Sequence, residues 1–257
     1  MTDPVDPEFA SVLRKAFDVL ASFGPTRRDL SLSDISRRSG LPKTTTHRVL
    51  RQMVSVGAVE RDGHRYHIGT KMFALSSPSR EVTLRNIALP HITELSRRCG
   101  HTTHLAVLCG SDVLYLEKLQ SYATAPIPTA VGARVQAHCT ALGKALLACQ
   151  AETIVEDLCR PGLARRTAAS ISSPDRLWAA LENIRLNGFA ADNEEAVPGL
   201  RCLAVPILAG GQAVAAVSIA HPSSAAQPKY VLRALQESAA RISRAAKGCV
   251  GLLSAPA

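Results

Sequence analysis

The sequence predicts an α+β chain in two parts: a small N-terminal domain of three helices closed by a hairpin, and a larger domain of antiparallel strands with helices against them. Three observations predict this. Apolar residues recur at helical spacing early in the chain, an Asp62–Gly63 turn signal follows, and paired β-branched runs then alternate with helical stretches. A length of 257 residues suits either two domains or one large one, and 46% hydrophobic residues leave ample material for a buried core. With 20% charged and 4% aromatic residues the chain is neither a disordered segment nor a stacking-rich single-strand binder.

Several classes are excluded at this level. No apolar run approaches the roughly eighteen residues of a membrane span, and "MTDPVDPEF" is acidic and Pro-broken where a signal peptide needs a basic, then apolar, opening. The expectation is a cytoplasmic protein with no membrane partner. The cysteines are seven, an odd number, without a CxxC pair, so reduced thiols are expected, and no metal site or cofactor.

The formal net charge is +9, and it is concentrated. Between Phe23 and Lys71 stand ten Lys/Arg against four Asp/Glu, an excess of six in under a fifth of the length. A polyanion is the natural partner for that segment.

Taking the elements in order, Phe9, Val12, Leu13, Ala16, Leu20 and Phe23 mark one face of a helix ended by Gly24 and Pro25. "SLSDISRRSG" reads as a helix of under two turns, with Ser33 as N-cap and Gly40 as its stop. Leu41 and Pro42 make the turn, and Pro42 suits a place at or near the first position of a third helix. Two short helices joined so tightly are a helix-turn-helix pattern, and the hairpin "AVERDGHRYHIG", with Asp62–Gly63 as its turn, makes it the winged variant.

The third helix opens with three threonines, which together cost roughly 2 kcal/mol relative to alanine. At 100° per residue, Thr46, Val49, Leu50, Met53 and Val54 fall on one side; Thr44, Arg48, Arg51 and Ser55 lie opposite, flanked by His47 and Gln52. One side is core and the other polar and cationic, a shape the major groove admits. Short hydroxyl side chains let the helix start approach a phosphate or base edge. Thr44, Thr45, His47, Arg48 and Arg51 are therefore expected in the groove, with Lys43 and the wing residues Arg61, His64 and Arg65 on the backbone. Half-site geometry then implies a two-fold dimer.

Beyond a linker at "GTKMFALSSPSR", a helix is predicted over "LRNIALPHITELSRRCG", bent at Pro90. A hairpin follows around Gly110, Ser111 and Asp112, then a helix capped by Thr140 and another with Ser173 as cap, Pro174 first and Gly188 past its end. A second hairpin turns at Gly210–Gly211, and "KYVLRALQESAARISRAAK" closes the chain as a helix. Thr140 opens a helix whose free N–H groups suit a carboxylate, with the small Cys139, Ala141 and Gly143 beside it.

An enzyme is the rival reading, a metabolite sensor or catalyst whose basic N-terminus serves dimerisation. Cys202, His138 and Asp192 are the types a thiol nucleophile needs, yet no local signature surrounds them. "ALGKAL" lacks the first glycine of a phosphate loop, and His101 and His104 would face opposite sides of a strand, which argues against a shared metal. The expectation is no enzymatic activity.

The stretches "LSDISRRSGLPKTTTHRVLRQM", "HCTALGKALLA" and "GFAADNEEAVPGLRCLAVPI" together resemble the isocitrate lyase regulator (IclR) family of bacterial transcription factors over nearly the full length. The resemblance implies a winged helix-turn-helix at 1–69, a linker at 70–80, and at 81–257 a C-terminal α/β effector-binding domain similar to GAF and profilin-like sensors. It also implies dimers, or dimers of dimers, on pseudo-palindromic operators, and regulation by a small organic acid. The family's pocket residues correspond here to Thr140, Ala141, Asp192, Cys202 and Ser218. Each polar one has a structural alternative: Cys202 as core, Asp192 as a turn-former, Ser218 as a satisfied strand hydroxyl. Glu195 is expected to hold the loop. An acidic ligand beside Asp192 requires a proton or a bridging hydroxyl, which suits a hydroxy or aldehyde acid.

Overall fold

The computed structural model describes residues 12–24, 28–121, 127–224 and 230–247, and the chain divides between Ser79 and Arg80 into two compact units. Phe9, Pro25 and Cys249 lie outside the described residues.

In the first unit, α1 (Val12–Ser22), α2 (Leu32–Ser39) and α3 (Lys43–Ser55) precede a small sheet of β1 (Leu30–Ser31), β2 (Val59–Asp62) and β3 (Arg65–Ile68) in the order β1-β3-β2. Three sequence expectations are corrected here. The N-cap of α2 is Ser31, not Ser33: its hydroxyl accepts from the Asp34 amide and the Asp34 carboxylate reaches back to the Ser31 amide, a reciprocal capping box. The hairpin turn is Gly63–His64, because Asp62 pairs with Arg65 across the strands and Gly63 supplies the positive φ of +54°. Val54 is exposed, not core.

Gly40 ends α2 at φ +70° as expected, and Pro42 stands immediately before α3. Val19, Leu30, Ile35, Val49, Leu50, Met53, Val59 and Tyr66 form the core. β1 brings Leu30 opposite Tyr66, a third strand too short to show a period. Gly69 closes the hairpin against Gly57, whose carbonyl oxygen would lie 2.2 Å from any added Cβ. The stretch expected as a linker contains α4 (Thr70–Ser76), none of whose residues is buried.

The second unit is an antiparallel sheet between two helical layers. Its elements are α5 (Arg80–Cys99), β4 (Thr102–Cys109), β5 (Asp112–Leu119), β6 (Arg134–Gln136), α6 (Ala141–Leu147), α7 (Glu152–Cys159), α8 (Pro174–Asn187), β7 (Ala190–Asn193), β8 (Leu200–Ala209), β9 (Gln212–Pro222) and α9 (Tyr230–Ala246). The strand order is β6-β5-β4-β9-β8-β7. Helix α5 includes Pro90 within its span. Ser173 caps α8 and Gly188 ends it at φ +74°, as the sequence predicts.

Alternation along the strands makes the two faces unlike. Leu105, Leu203, Val205, Ile207, Val217 and Ile219 pack with α5 and α9, whereas Ala106, Ala204 and Ala216 face α6 and α8. Large side chains fill the first face. Small ones on the second let α6 approach closely, and Gly143 helps: an added Cβ there would stand 2.2 Å from the Ala137 carbonyl oxygen. A surface lined so thinly leaves space beneath the helix.

Candidate functional site

Two candidate surfaces result. On α3, Lys43, Thr44, His47, Arg48 and Arg51 are exposed and Thr45 is half-buried, while Thr46 is fully buried, its hydroxyl donating to the Pro42 carbonyl at 3.0 Å. Arg48 and Arg51 enter no ion pair among the described residues. On the hairpin Arg61 and Arg65 are exposed yet held, the first by a 2.8 Å bond to the Gly63 carbonyl beside the Tyr66 ring and the second by a 3.1 Å bond to the Asp29 carbonyl. His64 is exposed in the turn between them. The face is cationic, with its wing arginines already ordered, which lowers the entropy lost on binding a polyanion.

The second surface is a cavity of about 150 Å3 between the small-residue face of the sheet and the start of α6. Thr140, Ala141, Asp192, Cys202 and Ser218 all line it. The register explains the convergence: Asp192 on β7 is the cross-strand partner of Cys202 on β8, and Ser218 on β9 is the partner of His104 on β4. Thr140 caps α6, accepting from the Gly143 amide at 2.9 Å and donating to the Ala137 carbonyl at 3.3 Å, so its hydroxyl is occupied. The Ala141 and Leu142 amides are left without intrahelical partners.

Sequence reasoning missed His104, Tyr115, Thr129 and Arg166, which also line the cavity. His104 Nε2 lies 2.8 Å from the Thr129 hydroxyl, and burial pushes the imidazole pKa down to about 3, so the ring is neutral. Its position on β4 with Thr, Leu and Ala neighbours carries no signal in one dimension. Burial raises the Tyr115 phenol, with Cys202, Asp192 and Cys139 nearby adding to the rise, and burial likewise raises the Cys202 thiol. His138 turns elsewhere, its Nε2 3.0 Å from the Ala164 carbonyl.

Asp192 is 2% exposed. Burial raises its pKa to about 7, opposed by a 2.7 Å hydrogen bond from the Glu195 amide to Oδ1. Glu195 itself is buried and paired: Lys144 Nζ donates to Oε1 at 2.5 Å. Its main-chain oxygen accepts from the Ser170 hydroxyl at 2.7 Å. The segments around 167–170 and 194–196 are thereby fastened together, with Glu194 at φ +63°, the one non-glycine in that region among the described residues. Arg166 stands at the exposed end, its Nε 3.4 Å from the Ala196 carbonyl.

A winged helix-turn-helix with an unpaired cationic recognition helix, followed by a sensor-like domain with a small internal cavity, defines a ligand-responsive DNA-binding regulator. Residues 12–63 match the IclR helix-turn-helix domain, and residues 79–244 match the family described as bacterial transcriptional regulator IclR C-terminal. The chain belongs to the IclR family of bacterial transcriptional regulators. The HTH-type transcriptional regulator KdgR of Escherichia coli strain K12 is 30% identical over 246 residues, 94% of this chain and 92% of the relative. The Pca regulon regulatory protein of Pseudomonas putida is 30% identical over 218 residues, 83% of this chain and 75% of that protein. Among solved structures, an IclR homologue from Microbacterium hydrocarbonoxydans complexed with 4-hydroxybenzoate superposes with a TM-score of 0.86 at 30% identity, covering 93% of this chain and 100% of that one. The N-terminal unit binds DNA and the C-terminal unit binds a small-molecule effector that controls it. No described helix is long and apolar enough to cross a membrane.

Proposed function

We propose that the effector is a small organic acid held in the cavity beneath α6, and that Thr140, Ala141, Asp192, Cys202 and Ser218 are its contacts, with Arg166 at the entrance. The observation that carries this reading is the convergence of these residues, from β7, β8, β9 and the start of α6, on one cavity. At about 150 Å3 it is smaller than the roughly 300–1,000 Å3 of ordinary ligand pockets, which favours a compact molecule. A ring the size of the 4-hydroxybenzoate bound by the Microbacterium homologue, or a shorter hydroxy or aldehyde acid, is the class that fits. The cavity is a receptor and not an active site: burial keeps the Cys202 thiol protonated, and His138 is committed to a carbonyl outside the lining.

In this reading Lys43, Thr44, Thr45, His47, Arg48 and Arg51, with wing residues Arg61, His64 and Arg65, contact a pseudo-palindromic operator in the cytoplasm. A homodimer or dimer of dimers presents two recognition helices about one helical turn apart, or a multiple of it. Calorimetric titration of 4-hydroxybenzoate and a panel of short hydroxy, aldehyde and keto acids tests the ligand assignment. Affinity for at least one acid should fall at least tenfold in Asp192→Ala, and equal affinities in variant and wild type would reject the site.

A further inference from the structure

We infer that the acid effector enters this cavity together with one proton, carried on the Asp192 carboxyl, so that the regulator senses its ligand and the acidity jointly. This rests on the effector site proposed above and adds the chemical form in which the ligand is taken.

The geometry leaves Asp192 without a cation of its own. The one buried cation nearby, Lys144 on α6, is held 2.5 Å from Glu195, and Asp192 is met instead by backbone amides, those of Glu195 and Ala196. The other titratable groups around it come from every packed element: His104 on β4, Tyr115 on β5, Cys139 before α6, Cys202 on β8 and Arg166 at the entrance. Burial holds His104 unprotonated, and burial keeps Tyr115, Cys139 and Cys202 protonated, so none of these four changes charge near neutrality. Arg166 is exposed and screened by solvent.

Into this setting a ligand brings a second negative charge. The cavity is so small that an ionised group within it lies within roughly 6 Å of the carboxyl, the range in which a like charge disfavours ionisation. Two anions sharing such a space hold one proton between them, as paired carboxylates do. The protonated carboxyl then donates a short charge-assisted hydrogen bond to the ligand's ionised oxygen. The proton comes from solvent on binding and returns to it on release; no covalent bond changes. Burial already raises the unliganded carboxyl to about 7, so the linkage falls in the physiological window. Affinity should be level below about pH 7 and weaken up to about tenfold per unit above it, because the free protein must then take up a proton to bind.

The experiment uses the full-length protein in two arms. Infrared difference spectra of the ligand-free wild type against Asp192→Asn, between about pH 5 and about pH 9, should show a protonated carboxyl band that disappears across neutrality. A carboxyl already ionised at the acid end would overturn the inference. Calorimetry with 4-hydroxybenzoate and the same acid panel, in two buffers of different ionisation enthalpy near pH 8, should show uptake approaching one proton per acid bound. Asp192→Asn, which keeps the shape and a donor, should bind with little pH dependence, whereas a merely structural Asp192 would give weaker binding and an unaltered pH profile. Binding with no proton exchange, or with release, overturns the inference while leaving the effector site standing. If no acid binds the wild type, the effector reading fails instead, and the infrared arm alone decides the state of the carboxyl.

Discussion

Lys144 and Glu195 form an ion pair with both side chains less than a tenth exposed, Nζ to Oε1 at 2.5 Å, joining the first turns of α6 to the segment that follows β7. Glu195 Oε2 is buried with no hydrogen-bond partner among the described residues. The pair joins the two sides of the cavity: Lys144 lies one turn from Ala141, and Glu195 supplies the amide that holds Asp192. Buried pairs of this sort contribute little net stability, yet removing one partner strands the other.

Lys144→Met should therefore lower stability by about 3–5 kcal/mol, since it leaves an unpaired carboxylate in the core. The double replacement Lys144→Met with Glu195→Leu should recover most of that loss. Urea unfolding of the two variants measures the difference, and equal losses would show that the pair does not act as a unit.

Arg48→Ala and Arg51→Ala should weaken operator binding while leaving the fold intact, because both side chains are exposed and unpaired. Loss of a base contact costs about 1–3 kcal/mol and relaxes specificity at one position. Loss of a phosphate contact reduces the salt slope by about one. Gel-shift titrations at two ionic strengths distinguish these roles, and an unchanged affinity would remove the residue from the interface.

His104 and Asp192 should give stability opposite dependences on pH. The folded pKa of His104, about 3, lies below its ordinary value, so stability from this group is complete above about pH 6.5 and declines as pH falls towards 3. The raised pKa of Asp192 acts in the other direction: the folded state keeps a proton that the unfolded chain releases, so stability declines as pH rises from about 4 to about 7. Denaturation midpoints across that range should show His104→Gln removing the acid-side loss and Asp192→Asn removing the loss towards neutrality. Neither slope changing would mean that these two groups do not set the profile.

Ser31→Ala should cost about 1 kcal/mol and Ser33→Ala close to nothing, because only Ser31 shares the capping box with Asp34. Thermal unfolding decides between them. Equal effects would place the cap elsewhere.

Ser31 caps α2 in place of Ser33 for a tertiary reason. "LSLSD" offers two serines two residues apart, and either can open a helix. The pairing of Leu30 with Tyr66 holds the preceding residue in a strand and brings the helix start forward to Leu32. The same reason accounts for the hairpin turn, where Asp62 is drawn into the ladder opposite Arg65. Its angle places Val54 with the core residues, but it lies in the last turn of α3 and is exposed.

Local chemistry determined much on its own: helix spacing, Gly40 and Gly188 as stops, the caps at Thr140 and Ser173, the two long hairpins and the cationic outer face of α3 are all set by neighbours a few residues away. The five expected cavity residues were legible through the family resemblance; their geometry was not. Only the tertiary structure decided that His104, Tyr115, Thr129 and Arg166 join them, and that Lys144 is spent on Glu195 and leaves Asp192 without a cation. Strand order and register bring together side chains as far apart in the chain as His104 and Ser218, and burial sets their charge. Neither is encoded by spacing along the chain, because both depend on which elements are adjacent in space.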